Sequence, residues 1–162
     1  MQLHKRLLDE VEEESFDLIA IYSNLEAYRM AWLLNRNLDI RLERSRQDVD
    51  FLHKSVQAMF ALFSFKDTAK FQSYSLVTNK FKGTPTKVLS AGSLFFEEEI
   101  RPEIVYLIPE YKKADFFLKI EEEPDAGHLN RLVNIISQIP QVLAATRIDI
   151  AFLKSKQNLI FD

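Results

Sequence analysis

A chain of 162 residues, 47% apolar and 12% aromatic, has the size and composition of one ordinary domain with its own packed core. It contains no cysteine, which excludes disulfides and thiolate metal sites and fits a reducing cytoplasm. A formal net charge of −3 gives no general attraction to nucleic acid or to an anionic membrane, and no stretch approaches the ~20 apolar residues of a membrane-spanning helix.

Residues 1–14 place Leu3, Leu7, Leu8 and Val11 at helical spacing. His4, Lys5 and Arg6 at the start and Glu12, Glu13 and Glu14 at the end would oppose a helix dipole, so a short strand and an acidic turn are expected instead. The same residues lack the apolar segment of a secretory signal. Phe16 to Tyr22 is a near-continuous apolar run with the length of a buried strand. Ser23-Asn24-Leu25-Glu26 then fits a capping box, Ser23 as the cap and Glu26 reaching back. The helix expected over 24–37 carries apolar groups on most of its circumference, with Trp32 near the centre, which predicts burial. Leu38, Ile40 and Leu42 alternate with Asp39, Arg41 and Glu43 as in a half-exposed strand. Ala58 to Thr78 reads as a hairpin around Lys66 to Lys70, with Phe63, Phe65, Phe71 and Tyr74 available for cross-strand pairing. Asn79 to Lys87 holds a Gly and a Pro and is the expected mobile loop. Ser90 to Arg101 fits either a short helical turn or an irregular crossing.

The last third is the most regular. Tyr106 to Ile108 reads as a strand and Pro109 to Lys113 as a turn. In the next strand Ala114, Phe116, Leu118 and Ile120 share a face, and Glu121-Glu122-Glu123-Pro124 stops it. A helix over 126–138 turns Leu129, Leu132, Val133, Ile135 and Ile136 inward and ends before Pro140. Val142 to Leu153 reads as a long strand, and Lys154 to Phe161 as a turn with a final strand. The whole predicts a single α+β domain over 1–162. Its sheet is mostly antiparallel, with two principal helices on one face and a β-β-α-β-β C-terminal third.

Ile108-Pro109-Glu110, three free positions, then Ala114-Asp115-Phe116 resembles the signature of a bacterial family named for it, IPExxxVDY. Ala114 stands at the signature's Val and Phe116 at its Tyr, so the tyrosine hydroxyl is missing. The ending Lys154-Ser155-Lys156-x-Asn158-Leu159-Ile160-Phe161 is similar to that family's as well, as are the pairs Tyr28-Arg29 and Leu34-Asn35. The resemblance implies no activity. A second likeness, to ACT-type ligand-binding units and their ferredoxin-like fold, rests on Asp125, Gly127 and Leu129 at the start of the second helix. It would imply a small-molecule ligand near Gly127.

Residue types narrow the chemistry. His4, His53 and His128 lie far apart without a zinc spacing. The acidic runs Glu97 to Glu99 and Glu121 to Glu123 fit solvated faces better than a cation site. Three glycines supply no nucleotide-binding loop, and no serine stands in a nucleophile motif. Glu110 and Asp115 allow a paired acid and base. Lys112 and Lys113 between them favour two ionised carboxylates accepting backbone N–H groups of the turn. On that view Ile108, Pro109, Glu110 and Asp115 are mainly architectural. Lys66, Lys70, Lys80, Lys82 and Lys87, with Phe71, Tyr74 and Phe81 interleaved, make the local case for single-stranded nucleic acid. Alternation that makes the aromatics core, with the lysines as ordinary edge protection of a hairpin tip, explains the stretch better. These features predict a non-enzymatic cytoplasmic protein without metal or cofactor, acting as a protein-interaction or small-ligand-sensing module. A nucleic-acid accessory protein is the alternative. The aromatic load and unpaired strand edges further predict a homodimer.

Overall fold

The computed structural model describes residues 15–85, 101–121 and 126–161. The expectations for residues 1–14 and 90–100, for Lys87 and for Glu122 to Asp125 lie outside them. Apolar runs with both faces buried belong at the centre of a sheet, and two such runs form its middle. Strand β1 (Asp17–Tyr22) lies between β9 (Phe116–Glu121) and β10 (Ala144–Ile148). Beyond β9 come β6 (Gln72–Thr78), β5 (Leu62–Asp67) and the two-residue β2 (Glu43–Arg44), giving the order β10-β1-β9-β6-β5-β2. Every pairing is antiparallel. Helix α2 (Ala126–Ser137) carries the chain from β9 to β10 across the intervening β1. Helix α1 (Ala27–Leu38) follows β1 and begins the longer return to β6. Strands β10, β1, β9 and β6 with the two helices thus have the order and directions of a split β-α-β-β-α-β plait.

Alternation along these strands divides the core in two. Ile19, Ile21, Leu118, Ile120, Leu76 and Phe63 meet Met30 and Leu34 of α1 and Leu129, Leu132 and Ile136 of α2, so both helices cover one face. Leu18, Ala20, Phe117 and Val77 point to the other face. Two small hairpins cover it, β3–β4 (Val49–His53 and Val56–Phe60) and β7–β8 (Lys80–Gly83 and Glu103–Tyr106). Phe60, Val56, Phe81 and Val105 are their inward contacts, joined by Leu107, Ile108 and the C-terminal Leu153 and Leu159. Gly83 is forced by this packing, because a Cβ there would stand 2.6 Å from the Phe81 ring and 2.8 Å from Val56 Cγ1.

Several expectations are corrected. Helix α1 is not buried all round: only Met30, Ala31 and Leu34 are inside, because the sheet lies on one side of it and no second layer covers the other among the described residues. The capping box does not form. Glu26 is the N-cap without a side-chain bond, since Ser23 is held by tertiary partners and the chain stays extended to Glu26. Leu38 ends the helix, and Asp39 turns the chain in the left-handed region at φ 54. Ile40 and Leu42 are then buried without being strand, held there by Asn35. Its Nδ2 donates to the Leu42 carbonyl at 3.0 Å and its Oδ1 accepts from the Leu42 N–H at 2.7 Å.

The expected hairpin is shorter. Residues 56–60 pair instead with 49–53 across the Lys54-Ser55 turn, and Ala61 interrupts the run by donating its N–H to Thr78 Oγ1. Phe65 and Tyr74 do pair, ring centroids 6.3 Å apart. Phe71 instead sits exposed in the turn at φ 53. Strand β8 stops at Tyr106 and β9 starts at Phe116, so Ala114 packs into the cluster opposite Phe116. Strand β10 stops at Ile148 because the Asp149 carboxylate accepts the Ala151 N–H and starts a 3-10 turn. The last stretch is a 3-10 turn over Lys156–Leu159 rather than a strand. The C-terminal third therefore runs β8, β9, α2, β10, with no closing strand among the described residues.

Candidate functional site

The signature turn is built around a residue that sequence reasoning passed over. Asn79, expected in a mobile loop, is wholly buried between β6 and β7. Its Nδ2 donates to the carbonyls of Tyr111 and Ala114, each at 2.9 Å, and its Oδ1 accepts from the Ile108 N–H at 2.8 Å. Its main-chain N–H donates to the Asp115 carbonyl at 3.0 Å, and its carbonyl accepts from the Leu107 N–H at 2.9 Å. Five hydrogen bonds from one residue hold both ends of the turn. Pro109 opens that turn as the first residue of a 3-10 helix over Pro109–Tyr111. Proline suits this position, where its missing N–H has no partner to lose.

The two signature carboxylates serve different segments. Asp115 Oδ2 accepts the Ser23 N–H at 2.9 Å, tying the end of β1 to the start of β9, while its Oδ1 receives Lys80 Nζ at 2.9 Å. Ser23 in turn donates its hydroxyl to the Gln141 carbonyl at 2.9 Å. Glu110 instead accepts from Ser155, N–H at 3.2 Å and hydroxyl at 2.7 Å. Beside it Asn158 Nδ2 donates to the Leu107 carbonyl at 2.9 Å. Both carboxylates accept main-chain donors, as short acidic side chains near turns do.

A second buried polar group lies below. Lys119 is 2% exposed, on the face of β9 opposite the helices. Its ammonium is 4.7 Å from the Phe16 ring centroid and 5.2 Å from that of Phe161, with Glu121 Oε1 at 2.7 Å. Two aromatic faces and a carboxylate replace its water. A lysine inside the run Phe116 to Ile120 was the one visible signal of it, whereas nothing in spacing marked Asn79.

The basic stretch is dispersed. Lys66 and Lys70 lie at the β5–β6 turn, and Lys80 and Lys82 lie on β7 past the far end of β6. Seven residues of strand at about 3.3 Å each separate the two pairs. Lys80 is paired with Asp115. Of the interleaved aromatics, Tyr74 is in the core, Phe81 packs 6.4 Å from Phe60, and Phe71 alone is exposed. At the second likeness, Leu129 is a core contact of α2.

Two shallow clefts accompany these features. One of about 340 Å³ is lined by Tyr22, Pro109, Glu110, Tyr111, Lys112 and Lys113. The other, about 270 Å³, is lined by Phe16, Asp17, Arg147, Ile148, Asp149 and Ile150. Among the described residues no three His, Cys, Asp or Glu side chains gather as a metal site, and no helix is long and apolar enough to cross a membrane.

The outward side of α1 is the other conspicuous surface. Tyr28 is 66% and Trp32 57% exposed, one helical turn apart. The Arg36 guanidinium lies 5.5 Å from the Trp32 ring centroid. Tryptophan is strongly buried on average, and this chain has one. Comparisons with family models, curated proteins and solved structures gave no match to the chain.

Proposed function

We propose that the protein is a non-enzymatic interaction module that presents α1 to a protein partner. The observation that carries this reading is the line Tyr28, Trp32, Arg36 on the side of α1 turned away from the sheet. Tyrosine, tryptophan and arginine are the side chains that dominate interface energetics, and helical anchors at such spacing suit a partner groove. The signature supports an architectural part for its own residues, since Glu110, Asp115 and Asn79 are engaged internally. We also propose membership of the IPExxxVDY family. The two segments that carry the resemblance meet through Glu110 with Ser155 and Leu107 with Asn158.

A photo-crosslinking amino acid at position 32 should join one protein in the native host, while the same group at position 68, exposed at the β5–β6 turn, should not. The purified pair should then form a complex that Trp32→Ala disrupts. Trp32→Ala itself should cost less than about 1 kcal/mol of stability, since the side chain is exposed. A reconstituted complex indifferent to Trp32→Ala would overturn the reading.

Self-association is a second reading with its own observation. The register pairs Asp50 with Met59 and Leu52 with Gln57, so Leu52 and Met59 share the outer face of β3–β4, and both are exposed. Sedimentation at high micromolar concentration should give twice 18.9 kDa, and Leu52→Lys with Met59→Lys should return the mass to 18.9 kDa. A wild-type monomer at that concentration removes this reading.

A further inference from the structure

We infer that the segment received by α1 is acidic, with carboxylates on Arg29 and Arg36 and an apolar side chain laid over Trp32; the inference rests on the interaction reading above. Residues 27–38 contain two arginines and no Asp or Glu, although the whole chain has a formal net charge of −3. Neither arginine has a carboxylate partner among the described residues, and both are exposed. Positions 29, 32 and 36 follow i, i+3, i+7 spacing and so lie along one side of the helix. The guanidinium of Arg36 already lies 5.5 Å from the Trp32 ring centroid, and this contact reduces the rotamer freedom lost when its fork takes a carboxylate.

Charge decides among occupants. A second copy docked helix to helix would bring Arg29 and Arg36 of both chains together, and like charges across an interface are unfavourable. A nucleic-acid strand needs a positive groove that tracks its phosphates. Helix α1 is instead a ridge with exposed Glu26 at its start and exposed Asp39 at its end, so a strand along it meets a carboxylate at both limits. A short acidic segment that spans only Arg29 to Arg36, about 10 Å of helix axis, stops short of both.

Trp32, the single tryptophan, reports occupation directly through its emission. Three probes separate the occupants: a random Glu/Leu copolymer, polyglutamate, and an oligothymidylate. The copolymer should shift the emission to the blue, in a manner weakened by salt. Its affinity should fall at least about tenfold in the double variant Arg29→Glu, Arg36→Glu, a change of about 1.4 kcal/mol, while the melting curve keeps its wild-type cooperativity. Polyglutamate, lacking the apolar anchor, should bind more weakly. An equal response to oligothymidylate, a blue shift on raising protein concentration alone, or copolymer binding indifferent to charge reversal would each overturn the inference. If position 32 crosslinks a partner without an acidic contact segment, the interaction reading stands and this inference fails.

Discussion

Asn79→Ala is expected to be the most damaging single change in the signature region, lowering stability by about 3 kcal/mol. The substitution leaves the Ile108 N–H without its acceptor and the Ala114 carbonyl without its side-chain donor, both at buried positions, while the Tyr111 carbonyl keeps only the Ala114 N–H. A buried group that loses its partner keeps its full desolvation cost, about 1–3 kcal/mol each before any relaxation. Against a typical margin of roughly 5–15 kcal/mol, the urea midpoint should fall by on the order of 1 M. Asn79→Asp should be no better at neutral pH. Its carboxylate still accepts from Ile108, but it turns a negative oxygen toward two carbonyl oxygens. Equilibrium urea unfolding checks both, and a midpoint within error of wild type for Asn79→Ala would show that the turn is held by other means.

Asp115→Ala should follow at about 2 kcal/mol, and Glu110→Ala at about 0.5–1 kcal/mol. The ranking comes from where the partners lie. Asp115 is partly buried and is the acceptor for the Ser23 N–H, which joins β1 to β9 and, through the Ser23 hydroxyl, to Gln141. Glu110 and Ser155 meet at the surface, where water replaces a lost bond. Lys80→Met separates the two parts of the Asp115 term. The exposed ion pair with Lys80 should contribute at most about 1 kcal/mol, so most of the loss in Asp115→Ala belongs to the Ser23 N–H. Asp115→Asn, which retains one acceptor for that N–H, should recover roughly half. If Lys80→Met proves as costly as Asp115→Ala, the carboxylate acts mainly as a charge and the assignment to Ser23 is wrong.

Both experiments also bear on what the signature is for. Its acidic residues are engaged with Ser23, Lys80 and Ser155, so their loss should weaken partner binding only as far as stability falls. Tyr28, Trp32, Arg29 and Arg36 should behave in the opposite way, with small changes in stability and large ones in binding.

How far the chain could be read before folding depended on the range of the forces involved. Apolar runs, helical spacing and proline stops act over a few residues, and they were sufficient for β1, α1, the β5–β6 hairpin, β9 and α2, and for an antiparallel α+β sheet with both helices on one face. Local pattern failed wherever a distant partner took over. Ser23 had the sequence of a helix cap, but Asp115 and Gln141 hold it. Residues 79–83 had the composition of a loop, but Asn79 binds Leu107, Ile108, Tyr111, Ala114 and Asp115, and β8 pairs with β7. Trp32 stood in an apolar helix, but exposure depends on how many layers surround that helix, and among the described residues one does. Lys119 was legible as an oddity and nothing more until Phe16 and Phe161 came to rest over it. Backbone propensity and hydrophobic period are properties of neighbours in the chain, so the sequence alone determined those few elements and the class of fold. Which polar groups are buried, which aromatics remain outside and which carboxylates are already engaged depend on neighbours in space, and only the tertiary structure decided them.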